Sequence, residues 1–352
     1  MTQRITLLAL LVYLLGANSD IAHGQILRDL IERESVGGAI PTGLKWLSSR
    51  KNEDGSWTFQ PEGDEPAPMN ASATQVTGMA LLAYLGAGQN HKHGTYKEPV
   101  HDGLSFLIRK MKVTEERGDL RGGGDMTAHG VATFALCEAY QQTLDRELKN
   151  AAELAIAFIQ HTQNESGGWG NWPMGPDDMH VFGWQLLALH SASIADLPVA
   201  DATTKKMMNY LDGQTASGRY YGRYERGRDA QATAIGLLGR VMLGWDENDI
   251  LVNEGTDWLA DPGPTRHALE RNFFTHQIVF HRQGKSWSHW NGKIRDQIIS
   301  RQDKEEEHRG SWHDADDECG KSLGRVSQTA INLMMLEVYN RHLGVYRATG
   351  QR

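Results

Sequence analysis

The sequence predicts an all-α protein assembled from six helical hairpins, and three recurring signals carry that prediction. A seven-residue phrase appears as Lys51-Asn52-Glu53-Asp54-Gly55-Ser56-Trp57, as Gln163 to Gly167-Gly168-Trp169, as Gln214 to Gly218-Arg219-Tyr220, and in stretched form from Gln302 to Gly310-Ser311-Trp312. An aromatic–aliphatic or aliphatic pair recurs inside helical patterns: Trp46-Leu47, Phe106-Leu107, Phe158-Ile159, Tyr210-Leu211, Trp258-Leu259 and Ile298-Ile299. After each loop comes a stretch that is small and apolar nearly all round, the mark of a buried helix. The period of roughly 40 to 60 residues suits one helical hairpin per unit.

In chain order, unit one has an outer helix around Trp46-Leu47, a Pro/Glu/Gly loop over residues 60–68, and an inner helix from Ser72 to Tyr84. That inner helix matches the last one, Ser327 to Tyr339, in Ser, Thr, Met, Leu and Tyr at the same offsets. His129 to Tyr140, Met179 to Ala192 and Gln231 to Leu243 are the inner helices of units two to four. The outer partners carry more charge, as in Lys149 to Gln160 and Asn291 to Gln302, and should face water on one side. Unit five is the weakest: a short outer helix from Thr256 to Ala260 is broken by Pro262 and Pro264, and Arg271 to His281 would be its inner helix.

The 352 residues carry a formal net charge of −8 and no lysine-rich tract, which excludes the basic field that recruits nucleic acid. Arg4, the apolar run Ile5 to Leu15 and the small-x-small triplet Ala22-His23-Gly24 read as a signal peptide over residues 1–24, too short to span a bilayer as an anchor. The expectation is an exported, periplasmic or secreted, monomer. Cys137 lies well inside an inner helix and Cys319 before the start of another, so their different heights predict no disulfide.

The phrase Gln-x-x-x-Gly-x-Trp resembles the repeat of squalene and other triterpene cyclases, and the hairpin series resembles the wider terpene cyclase and prenyltransferase superfamily. The resemblance covers about Gly43 to Tyr339. It implies that the hairpins close into an α/α toroid with a central cavity, over residues 42–346, preceded by a leader over 25–41 and followed by a tail over 347–352. Open solenoids have a similar period but lack the Gly-x-Trp loop. Within the loop, Gly supplies positive-φ freedom, the aromatic ring packs over the hairpin, and Gln binds open backbone groups at a helix end.

Acidic residues collect on the loop face: Asp125, Asp177, Asp178 and Asp229 before inner helices, of which Asp125, Asp178 and Asp229 read as caps, and His313-Asp314-Ala315-Asp316-Asp317. Three carboxylates so close cannot all ionise cheaply, and one should hold its proton. This segment resembles the Asp-x-Asp-Asp motif of class II terpene cyclases, which implies Asp316 as proton donor with Asp314 and Asp317 beside it. Asp317-Glu318-Cys319 also resembles the zinc pair of protein prenyltransferases, but no later hairpin offers the third ligand, so no metal and no cofactor is assigned. His129 and His180, near inner-helix starts, and Trp184 are candidates to bind substrate in the cavity. Arg219, Tyr221 and Arg223 belong to an Arg/Tyr-rich loop that could hold an anion or stack on a ring. Three function classes follow: an exported cyclase-like enzyme using acid catalysis on an apolar or isoprenoid substrate, a non-catalytic toroid that binds a small-molecule or polymer ligand, or a carbohydrate-active lyase or hydrolase.

Overall fold

The computed structural model describes residues 38–59 and 72–339. The segments read as signal peptide and C-terminal tail lie outside them. Twelve α-helices make up the described residues: α1 (Ala39–Ser49), α2 (Ala73–Gly86), α3 (Lys97–Lys110), α4 (Met126–Thr143), α5 (Arg146–His161), α6 (Met179–Ile194), α7 (Asp201–Gly213), α8 (Ala230–Met242), α9 (Ile250–Ala260), α10 (Leu269–Arg282), α11 (Gly284–Arg301) and α12 (Glu318–Leu336). The even-numbered helices are inner. Each packs on the next, and α12 packs back on α2, so the six close into a ring with the odd-numbered helices outside.

Burial follows the residue patterns that predicted the two layers. In α2 every residue from Thr74 to Gly86 is buried, whereas α5 buries only one face, Leu148, Ala151, Ala152, Ala155, Ile156 and Ile159. The first helix begins at Ala39, inside the segment read as leader, because Ala39 and Ile40 are themselves buried. Unit five is sturdier than the prolines suggest: Asp249 caps α9 by accepting the Leu251 N–H, which starts that helix at Ile250. The stretch before Ser327 is helical from Glu318 with a break at Gly324 (φ 72°), rather than a plain loop. In unit two the glycine-aromatic loop gives way to a β-hairpin, β1 (Lys112–Thr114) with β2 (Arg117–Asp119), in register Lys112 with Asp119 and Thr114 with Arg117. Its turn residues Glu115 and Glu116 hold positive φ.

The recurring phrase is a latch between neighbouring units. The indole N–H of Trp57, Trp169 and Trp312 donates to the carbonyls of Leu47, Ile159 and Ile298 on the unit's own outer helix, at 2.7, 2.9 and 2.7 Å. Each ring buries on the order of 200 Å², about 5 kcal/mol of hydrophobic stabilisation before entropy is counted. The backbone N–H groups of Trp57 and Trp312 donate to inner-helix hydroxyls, Thr77 and Thr329, at 2.9 and 3.0 Å. In unit four Tyr221, not Tyr220, takes that place, donating its N–H to Thr233 at 3.0 Å.

The four motif glycines sit at φ between 77° and 98° and face the outer helix of the following unit. Gln163 Nε2 joins the Gly167 carbonyl (3.0 Å) to that of Thr203 on α7 (3.2 Å). Gln302 Nε2 repeats the device at the closure, donating to Gly310 O (2.9 Å) and to Ala39 O (2.8 Å) and Thr42 Oγ1 (3.0 Å) of α1. In unit one Lys51 substitutes an ion pair to Asp102 of α3 at 2.9 Å. Cys137 is a free thiol buried in α4, as its depth in that helix implied. Among the described residues no helix is long and apolar enough to cross a membrane.

Candidate functional site

All the inner helices begin at one mouth of the ring, and the rim loops lean across it. The Asn171 carbonyl accepts the Met126 N–H at the start of α4, and the Arg223 carbonyl accepts the Met179 N–H at the start of α6, at 2.8 and 3.0 Å. Asp125, Asp178 and Asp229 cap α4, α6 and α8 by accepting N–H groups of the first turn. These carboxylates are therefore committed to the backbone.

The acidic segment of unit six is divided by its surroundings. Asp317 is buried and accepts the Leu269 N–H at 2.8 Å, fixing the start of α10. Asp314 pairs with His267 (2.9 Å) and Arg301. Burial alone would raise its pKa, but hydrogen bonds from Arg301, the Asp316 N–H and His267 hold it below the usual carboxylate value. Asp316 is exposed. Its backbone N–H donates to Asp314 Oδ1 at 3.1 Å. Asp314 and Asp317 line a small cleft between α10, α11 and α12, with a free volume of about 30 Å³. His267, Asp314 and Asp316 bring ligand atoms within 4.8 Å of one another, but Asp314 is already engaged by Arg301.

Most of the expected binding residues have structural partners too. His129 is fully buried and faces α5, not the axis: its Nδ1 accepts the Leu120 N–H (3.0 Å), its Nε2 lies 3.1 Å from Ala155 O, and its ring packs on Phe158. It does for unit two what threonine does elsewhere. Tyr221 is fully buried; its hydroxyl donates to Gly218 O (3.1 Å) and accepts from Arg240 Nε (3.0 Å). Arg219 pairs with Glu254, and Arg223 forks onto the buried Asp178 at 2.8 to 3.2 Å. Arg228 is stacked between Tyr220 and Trp258, 4.2 and 4.4 Å from their centroids. The loop's arginines neutralise and brace the rim.

His180 and Trp184 are different, because they belong to a constellation on the axis side. Trp184 of α6 stacks on Phe273 of α10 (5.5 Å, 11°) and meets Phe274 edge-on (5.5 Å), although α8 lies between those helices in the ring. Such a reach is possible only across the interior. Above these rings, one turn nearer the mouth, stands Glu270, which accepts from Gln231 Nε2 of α8 (3.3 Å) and from the Trp184 indole. Burial raises the Glu270 pKa and the nearby Asp317 charge adds to it, against lowering by His180 and the two hydrogen bonds. His180 Nε2 is buried without a hydrogen-bond partner, 3.9 Å from Asp229 Oδ1. Sequence reasoning missed Glu270 because it began this helix at Arg271; the stripe Glu270, Phe273, Gln277, His281 at helical spacing would have found it. A half-buried carboxyl with a raised pKa, set over a cluster of aromatic faces, can donate a proton and stabilise a cation formed beneath it.

These features define a class by fold: an all-α toroid of six helical hairpins. No protein-family model matches the chain. Among solved structures it is similar to the type II terpene cyclase MstE from Scytonema, in complex with its substrate geranylgeranyl dihydroxybenzoate, with a TM-score of 0.59, 10% identity, and 88% of this chain and 99% of that one covered. It is equally similar to an α-1,6-mannanase from Salegentibacter (TM-score 0.60, 8% identity, 86% and 98% covered). In sequence it is 23% identical over 205 residues to the terpene cyclase-glycosyl transferase fusion protein fsoA of Humicola fuscoatra, a match spanning 49% of this chain and 15% of that protein. The likeness to the solved structures fixes the fold.

Proposed function

We propose that this chain is an exported, cyclase-like toroid that takes an apolar, isoprenoid-type ligand into the ring axis and protonates it from Glu270. One observation carries the reading: a carboxyl with a raised pKa, hydrogen-bonded to Trp184, directly above the Trp184, Phe273 and Phe274 rings. The neutral acid is the proton source, and the aromatic faces supply the cation–π stabilisation that an aqueous carbocation lacks. Glu270 rather than Asp316 takes the acid role in this reading, because burial raises the Glu270 pKa while Asp316 is exposed.

The test is incubation of the purified chain with geranylgeranyl dihydroxybenzoate and linear polyprenols, with mass-spectrometric detection of isomers of unchanged mass. Wild type and Asp316→Asn should form them; Glu270→Gln, with unchanged helical circular dichroism, should not. Activity retained by Glu270→Gln and lost in Asp316→Asn would refute the assignment. Export is tested separately by N-terminal sequencing of protein recovered outside the cytoplasm, where a start at Gln25 is expected.

A carbohydrate-active toroid is the second reading, favoured by two exposed rim aromatics. Trp172 and Tyr224 are 53% and 63% exposed, each three residues after the buried aromatic of its unit, Trp169 and Tyr221. Such a pair could stack on sugar rings. Against it, the adjacent carboxylates below are engaged, Asp177 by Asn164 and Ser166 and Asp178 by Arg223.

A further inference from the structure

Helix α10 presents one stripe to the interior, Glu270, Phe273, Gln277 and His281. Phe273 meets Trp184 of α6 across the axis, and at the far end of the stripe His281 is held near a pKa of about 4 by burial and by the neighbouring His190, also of α6. Gln277 lies between these two crossings. It has no exposed surface, and neither its Nε2 nor its Oε1 has a hydrogen-bond partner. On α6, two turns beyond Trp184 on the same face, Ser191 Oγ is buried and unpartnered as well. A buried primary amide with both its donor and its acceptor unmet forfeits its entire hydration, and native interiors rarely leave one so.

We propose that Gln277, with Ser191, binds the polar end of the ligand whose reactive end lies at Glu270. This rests on the reading of the ring axis as the ligand's seat and deepens it by naming the ligand class: an amphiphile with a head that both donates and accepts hydrogen bonds, such as a carboxamide or hydroxyl. Seven residues separate Glu270 from Gln277, so the head and the proton donor are roughly 10 Å apart along the axis. The apolar body between them runs past Trp184 and Phe273. A primary amide recognises a head of this kind because it offers one acceptor and a pair of donors in one plane. A hydrocarbon without a head would leave Gln277 as unsatisfied as before.

Calorimetric titration of the full chain with decanamide and with N,N-dimethyldecanamide, which accepts but cannot donate, tests the proposal. Wild type should bind decanamide about tenfold more tightly, the worth of one well-made hydrogen bond in a dry site. Gln277→Leu should bind both alike while melting no lower than wild type, since it removes an unsatisfied amide. Ser191→Ala, a smaller change that keeps the fold, should lose part of the preference. The proposal is overturned if wild type shows no preference, if the preference survives in Gln277→Leu, or if Gln277→Leu is destabilised, as loss of an internal or water-mediated bond would require. Glu270→Gln should keep the preference. If that variant also keeps turnover, the acid assignment fails and the head-group site stands; loss of the preference alone does the reverse.

Discussion

Replacing Gly310 by alanine should weaken the joint that closes the ring. A Cβ at Gly310 would stand 2.4 Å from the Thr42 carbonyl oxygen and 2.6 Å from its carbon, where ordinary contact begins at 3.4 Å, so units six and one must part by about an ångström. The residue also holds φ 98°, which costs an L-amino acid roughly 1–2 kcal/mol. Overpacking adds about 1–3 kcal/mol, and the stiffer unfolded chain returns about 0.4–1 kcal/mol. Net destabilisation of about 2–4 kcal/mol is expected, with further loss if the Gln302 bonds to Ala39 and Thr42 lengthen.

Gly244 is the control, because it has φ 105° but nothing within 4 Å of an added Cβ. Gly244→Ala should show the conformational cost without the clash, so the difference between the two variants, about 2 kcal/mol, measures the joint. Gly167 supplies the same contact inside the ring, its Cβ falling 1.9 Å from the Lys206 oxygen. Urea denaturation followed by circular dichroism gives all three values. A Gly167→Ala cost of several kcal/mol with Gly310→Ala no worse than Gly244→Ala would refute closure, since an open array has no partner for Gly310.

Acid should loosen the fold as its buried histidines take up protons. Burial holds the pKa of His129 and of His276 down to about 4, and in each the Nδ1 accepts a bond, from the Leu120 N–H and from the Trp290 indole, that protonation would break. A depressed histidine pKa means the unfolded chain binds protons first, so stability is complete above about pH 6.5 and falls between there and pH 4, by several kcal/mol in all. Urea midpoints that stay flat across that window would contradict this. At the rim, Asp178→Ala removes both the α6 cap and the carboxylate that Arg223 grips; a loss of about 2–4 kcal/mol is expected in the same assay, and a loss below about 0.5 kcal/mol would mean the fork contributes nothing.

How much of this could be read from the chain differs between scaffold and site. The hairpins were legible because each is a local object: the 3.6-residue pattern of Trp46-Leu47 or Phe158-Ile159 and the positive-φ glycine before an aromatic leave their mark within one unit. The unit-two hairpin was not, because Glu115-Glu116 is an unusual pair for a turn that needs two positive φ values. Nor could the sequence tell that the structural aromatic of unit four is Tyr221 and not its neighbour Tyr220, since one residue of slippage in a loop leaves no periodic trace.

The sequence by itself determined six hairpins, their inner and outer helices and the residues of the latch, because backbone preference and amphipathic patterning act over a few residues. Tertiary structure alone decided that the latch of unit six grips unit one, which brings Gln302 to Ala39 across the whole chain. It also decided which carboxyl loses its water. Asp316 stands in an acidic run and is exposed; Glu270 has no acidic neighbour in sequence, yet Trp184, Gln231 and Asp317 converge on it from three other parts of the chain. Desolvation is set by what surrounds a group in space, and no spacing of residues along the chain records that.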